Sequence, residues 1–405
     1  MAATISTVII MKITNISYLT KNGKTVASAD VLHRGKIDNL YFEVNSRIQN
    51  FFPDDATPFL AAVLYPAMKC REDIFIDGTV SEKVLNGVYK IMSSVEAWNV
   101  GLKSVKIHAD ILPDKKVGSK KALFFSAGVD SLYTLLTHNR SKKIITHFIF
   151  SHGMDIPLAE KELYATTLRN IQKVARYFNI TVITVKTNIR DFTGKYVKWD
   201  FAHGPVLGSI AILLRGNFNE IFISGGMNIN HMRPFGSHPH IDPLWSSEKM
   251  IVNHYGSHTD RLGKIESEIV KSKLALSVLR VCWRNKNSQY NCGECEKCLR
   301  TMLSLYTSGS LLKCKTFNKP INLEVLENLY VVKNHIRYFR ENLVALEKTT
   351  GNERLVSSIR KCISNNEERS VTNLINITLR NKIGELDEKY FNGKIFQYAS
   401  MSGLV

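Results

Sequence analysis

Ala122-Leu123-Phe124-Phe125 has no polar position, and the chain after it repeats a strand-then-helix rhythm. Ile144 to Phe150, Ile180 to Val185 and Glu220-Ile221-Phe222-Ile223-Ser224 read as further strands. Asp130 to His138, Leu158 to Phe178 and Val206 to Leu214 read as the helices between them. Strands that are apolar on both faces and separated by helices predict an α/β fold with a doubly wound parallel sheet. Ligands of such sheets bind beyond the carboxyl ends of the strands.

Upstream, the pattern is mixed. Tyr41 to Val44 alternates like a strand, Pro58 to Met68 is an apolar helix, and Asp73 to Ile76 is a strand before an Asp77-Gly78 turn. Ser81 can N-cap a helix through Ser94 with Val84, Leu85, Val88 and Ile91 on one face. Val105 to His108 is another short strand, and the polar stretch Pro113 to Lys120 reads as a linker. After about residue 320 the pattern turns helical: Leu323 to Leu346, Glu353 to Cys362 and Ser370 to Glu388. The expected organisation is therefore an N-terminal α/β domain (1–118), a central domain (119–318) and a C-terminal helical segment (319–405).

The 405 residues suffice for two or three domains, and 44% apolar with 22% charged residues is ordinary globular usage. No apolar run approaches the roughly 20 residues of a membrane span. Met1 to Leu19 lacks the features of a signal peptide, so a cytoplasmic, non-membrane protein is expected. Of the net charge of +18, +13 falls within residues 121–320. Either solvated helix faces or an anionic ligand handled by that segment accounts for it.

The strongest motif is Ser126-Ala127-Gly128-Val129-Asp130-Ser131, a turn running from a buried strand into a helix. Small residues let backbone approach an anion, serine hydroxyls donate to it, and the helix N-terminus adds partial positive charge. An ordinary glycine-containing turn is the plainer alternative. Cys282, Cys292, Cys295 and Cys298 form a C-x9-C-x2-C-x2-C cluster. Four thiolates suit a closed tetrahedral zinc site, with redox use or an iron–sulfur cluster as alternatives. Near the other strand ends lie His152-Gly153, a polar loop from Gly225 to Trp245, Lys264, and His203-Gly204-Pro205, which is expected to open a helix and offer its backbone N–H groups to an anion. The polar loop carries Asn228, His231, Arg233, His238, His240 and Asp242. Its spacings match no compact metal motif, so substrate recognition by Arg233, His238 or Asp242 is the favoured reading.

The Ser126–Ser131 loop resembles the Ser-Gly-Gly-x-Asp-Ser loop of the PP-loop ATP pyrophosphatases, with Ala127 in place of the first glycine. That resemblance implies ATP and Mg²⁺, with cleavage between the α- and β-phosphates. Ser126, Ala127, Gly128, Val129, Asp130 and Ser131 would hold the nucleotide, and His152 and Gly153 would lie near adenine and ribose. Ser126, Asp130 and Lys264 would act in catalysis. Combined with the four cysteines, residues 120–310 resemble the 7-cyano-7-deazaguanine synthases, which activate a carboxylate with ATP on the way to an amide and a nitrile. The longer layout resembles the synthase-like components of bacterial anti-phage systems. The implied partners are ATP, a 7-deazaguanine-type substrate, a macromolecular acceptor (DNA, tRNA or protein) and other defence proteins. A tRNA-modifying enzyme of the same fold and a non-catalytic nucleotide-binding subunit remain as rival readings.

Overall fold

The computed structural model describes residues 10–45, 51, 55–112, 118–140, 144–349 and 352–369. The expected helix from Ser370 and most of the expected linker lie outside these residues.

Three strands open the fold as a meander: β1 (Ile10–Lys21), β2 (Lys24–His33) and β3 (Lys36–Asn45). The turns between them are Asn22-Gly23 and Arg34-Gly35, and all four residues have positive φ. That is the backbone a two-residue hairpin needs to follow the right-handed twist of its strands. Alternate positions Ala27, Ala29 and Val31 of β2, and Leu40, Phe42 and Val44 of β3, are buried on one face.

The next elements are α1 (Thr57–Cys70), β4 (Asp73–Val80), α2 (Glu82–Ala97) and β5 (Ile107–Ile111). The Ser81 hydroxyl accepts the Val84 N–H and caps α2, whose Val84, Leu85, Val88 and Ile91 are buried as expected. Asp77-Gly78 does not end its strand. β4 runs through it with a register shift against β5 between Phe75 and Thr79, so the pair is absorbed as an irregularity.

The alternating segment supplies β6 (Lys120–Phe124), α3 (Val129–Asn139), β7 (His147–His152), α4 (Lys161–Phe178) and β8 (Thr181–Thr187). It continues with α5 (Ile189–Thr193), α6 (Trp199–Leu213), β9 (Phe218–Ser224) and β10 (Ile251–Tyr255). Two short helices follow, α7 (Arg261–Lys264) and α8 (Lys273–Val278).

All ten strands form one sheet in the order β10-β9-β6-β7-β8-β3-β2-β1-β4-β5. The block β10-β9-β6-β7-β8 is parallel throughout, as is β1-β4-β5, and the meander joins them. The join is the antiparallel pairing of β3 with β8. It is reinforced by Thr187 Oγ1 donating to the Tyr41 carbonyl at 2.6 Å and by Asn188, which bonds Tyr41 N and the Asn39 carbonyl. Residues on both sides of 118 therefore share a sheet. One core cluster runs from Met11 and Phe42 through α1 and α6 to Ile221 and Val252.

Two compact units result, one of residues 1–292 with 312–318, the other of 293–311 with 319–405. The second contains α9 (Glu296–Thr307), α10 (Leu323–Glu327), α11 (Ile336–Thr349) and a helix over residues 353–369. Its core includes Leu299, Leu303, Leu326, Phe339, Leu346 and Ile359. The single helix expected over Leu323–Leu346 is broken after Glu327. Buried Asn366 stabilises the break: its Oδ1 accepts from Val331 N at 2.9 Å and its Nδ2 donates to the Leu329 carbonyl at 2.8 Å.

Candidate functional site

In the parallel block, β7 and β8 lie to one side of β6, and β9 and β10 to the other. The chain therefore reverses its direction of travel between β6 and β9, which in open parallel sheets is the place where ligands bind, beyond the carboxyl ends of the strands. The Ser126–Ser131 loop leaves β6 at this point, and Gly225-Gly226 leaves β9.

The loop turns sharply because Ala127 is left-handed, at φ 57°, and is fully buried. Its carbonyl accepts the Arg280 N–H at 2.9 Å. An L-residue pays about 1–2 kcal/mol for that conformation, so the alanine keeps the turn at a cost that glycine would avoid. Gly128 is the N-cap of α3. Ser131 turns its hydroxyl back onto the Gly128 carbonyl at 3.2 Å.

Asp130, on the first turn of α3, is the electrostatic centre. Its Oδ1 accepts from Lys264 Nζ at 2.7 Å and its Oδ2 from Arg261 Nη1 at 3.3 Å. Both cations come from α7, which Asp260 caps by accepting the Gly263 N–H at 2.7 Å. Residues three apart share a helix face, so one short helix delivers both charges. Lys264 is only 1% exposed and also donates to the Gly225 carbonyl. A Cβ on Gly226 would lie 3.8 Å from Asp130 Oδ2, so the β9 loop closes the other side of the carboxylate.

The other expected site residues divide. His152 ends β7, but its Nε2 lies 3.0 Å from the Pro157 carbonyl and its ring stacks on Tyr164 at 4.1 Å. Burial pushes its pKa down. Gly153, at φ 94°, passes so close to Thr187 that a Cβ would meet the carbonyl oxygen at 1.9 Å. His203-Gly204-Pro205 lies inside α6 and does not open a helix, so the expected anion-facing N–H groups are not provided there. His203 instead holds the β9 loop, its Nδ1 against the Trp199 carbonyl and its Nε2 accepting the Ser237 N–H.

The polar loop after β9 spreads its side chains apart. His240 meets Ser94, His238 packs on Trp98, Arg233 lies over Phe235, and Asn228 caps the short turn Ile229–His231. Asp242 is fully buried, its Oδ2 accepting from Ser237 Oγ and bonded to His254 Nδ1, each at 2.7 Å. An open substrate-recognition role does not suit it. Sequence reasoning missed His254, Arg261 and the Gly225-Gly226 pair. The Gly-Gly step directly after an apolar strand was the available signal. A separate concavity of about 250 Å³ lies between Lys83 and Lys90 of α2 and Pro243–Glu248, away from the Asp130 loop.

The ligand atoms of Cys282, Cys292, Cys295 and Cys298 lie within 4.8 Å of one another, and all four side chains are buried. Asn291 Oδ1 accepts from Val281 N and Cys282 N, Gly293 takes a left-handed φ of 73°, and Cys295 is the N-cap of α9. Thiolates near a helix N-terminus are electrostatically favoured. This is a four-cysteine cluster able to hold a metal ion such as zinc.

No helix among the described residues is long and apolar enough to cross a membrane. No family model matches the sequence, and no characterised protein or solved structure matches it.

Proposed function

We propose that the chain is a PP-loop-type ATP pyrophosphatase that adenylates a carboxylate on a 7-deazaguanine-type substrate, releasing pyrophosphate, before an amine or ammonia displaces AMP. The observation that carries this reading is the pairing of Asp130 with Lys264 and Arg261 at the strand reversal, directly under the N-terminus of α3. An α-helix N-terminus with small residues before it accepts phosphate through backbone N–H groups. Buried Arg280, whose backbone is bonded to Ala127, has an Nε without a hydrogen-bond partner, which an anion would satisfy.

In this reading Ser126 and the N–H groups at Gly128 and Val129 hold the phosphates, and Ser131 stiffens the turn. Lys264 and Arg261 neutralise Asp130 and fix its position, leaving the helix end positive overall. Catalysis is then chiefly positioning and charge stabilisation. Zinc on the four cysteines would be structural, since four thiolates leave no open coordination position. The anti-phage setting and the macromolecular acceptor rest on the sequence resemblance alone.

The test is incubation with ATP, Mg²⁺ and 7-carboxy-7-deazaguanine. AMP and pyrophosphate should form in equal amounts, and Asp130→Ala should abolish both. Formation of ADP and phosphate instead overturns the reading.

A further inference from the structure

Beyond the phosphate loop, the carboxyl end of β10 carries a second constellation. His254 Nδ1 lies 2.7 Å from Asp242 Oδ2, and His254 Nε2 lies 2.8 Å from Ser257 Oγ. Asp242 is fully buried, the His254 side chain is 4% exposed and Ser257 is 8% exposed. The carboxylate can only accept at Nδ1, which places the ring proton there. In the neutral ring Nε2 is then an acceptor, and the Ser257 hydroxyl is the donor to it.

The carboxylate is itself held. Ser237 Oγ donates to Oδ2 at 2.7 Å and the His238 N–H to Oδ1 at 3.2 Å. The ring orientation is thus fixed from behind, while its other face meets the hydroxyl. A Cβ on Gly225 would lie 2.4 Å from both Ser257 Oγ and His254 Nε2. Only glycine permits this approach, so the hydroxyl–imidazole pair is seated against bare backbone. The adjacent Gly226 faces Asp130. One dipeptide therefore separates the Ser257 hydroxyl from the phosphate loop.

A hydroxyl bonded to an imidazole acceptor, with the imidazole oriented by a buried carboxylate, is the arrangement that activates serine as a nucleophile. We infer that Ser257 is such a nucleophile and takes acyl groups from activated donors: esters, thioesters or acyl anhydrides. Ser257 Oγ forms a bond to the acyl carbon as its proton passes to His254 Nε2. The bond from that carbon to the leaving group breaks, and the leaving group departs with the proton. The product is a seryl ester, which water or an amine then releases. The inference stands without the nucleotide reading.

An organophosphorus fluoride probe tests it on the full chain without ATP. The Ser257 Oγ–P bond forms, the P–F bond breaks, and the proton leaves with fluoride. Wild-type protein should gain one adduct on the peptide containing Ser257. Ser257→Ala should gain none there, and His254→Gln should react about 100-fold more slowly or worse. Ser257→Ala removes a single oxygen, and its circular dichroism should match the wild type. Folded wild-type protein that remains unlabelled at Ser257, where a serine esterase is labelled fully, overturns the proposal. So does labelling of His254→Gln at the wild-type rate.

Discussion

Lys264 Nζ lies 2.7 Å from Asp130 Oδ1, a pairing that joins the first turn of α3 to a helix 134 residues later in the chain. The lysine is buried and the carboxylate partly so, which makes the pair sensitive to loss of one partner. A buried cation that loses its carboxylate keeps its desolvation cost and forfeits the attraction that offset it. Asp130→Asn leaves the buried Lys264 cation without a carboxylate and should lower stability by about 3 kcal/mol in urea unfolding, and Lys264→Met should lower it by a smaller amount because the part-exposed Asp130 keeps Arg261. The double variant should be more stable than the two losses added together, with a coupling of about 1–3 kcal/mol. Additivity within about 0.5 kcal/mol would show that the pair does not hold the loop.

Ala127 supplies a test of the turn itself. Its left-handed φ costs an L-residue about 1–2 kcal/mol, and glycine returns part of that gain through its freer unfolded chain. Ala127→Gly should therefore raise stability by about 0.5–1 kcal/mol. Ala127→Val, which puts a branched side chain at a fully buried left-handed position, should lower it by about 2 kcal/mol or more. Equal stability of the glycine variant and the wild type in denaturant unfolding would mean that the strain is relieved elsewhere.

Much of this turn was legible in advance, because an apolar strand, a Ser-Ala-Gly turn and an acidic helix start each declare themselves locally. The helix Glu82–Ala97, expected from the Ser81 cap through Ser94, was legible for the same reason: the cap and the buried stripe from Val84 to Ile91 are read within a few residues. Long-range pairings were not. Arg261 reaches Asp130 only because α7 follows β10, a short strand whose exposed Ile251 and partly exposed Asn253 blur its apolar pattern. The merger of the meander with the parallel block depends on Thr187 and Asn188 meeting β3, and nothing near either residue in sequence signals it. The two hairpins were signalled, Asn22-Gly23 most plainly, but the polar alternation of β1 and β2 reads weakly beside the apolar runs downstream.

The cysteine cluster predicts a metal dependence of stability. Four buried thiols within 4.8 Å of one another should bind close to one equivalent of zinc per chain. Metal binding contributes on the order of 10 kcal/mol to folding in small sites of this kind. A strong chelator should therefore lower the midpoint of thermal unfolding, and added zinc should restore it. Cys295→Ser should reduce the bound metal measured by elemental analysis. Less than half an equivalent in protein purified without chelator, with four thiols titrating freely, would remove the site.

His147 predicts a pH dependence at the start of β7, away from the Ser126–Ser131 loop. The ring is buried, lies edge-on to Phe218 at 5.2 Å and shares a 2.8 Å hydrogen bond with Thr146. Burial, with the nearby charge of Lys120, pushes its pKa down from 6.5 to about 4. The folded chain thus stays neutral at this ring over a range in which the unfolded chain takes up a proton. Its contribution to stability is full above pH 6.5 and declines as the pH falls toward about 4. Below that both states are protonated and the contribution changes no further. The loss across that window should be on the order of 3 kcal/mol. His147→Gln has no proton to gain, so its stability should decline less between pH 6.5 and 4 than that of the wild type. Parallel stability curves for the two proteins in urea unfolding across that window would show that His147 titrates normally in the folded state.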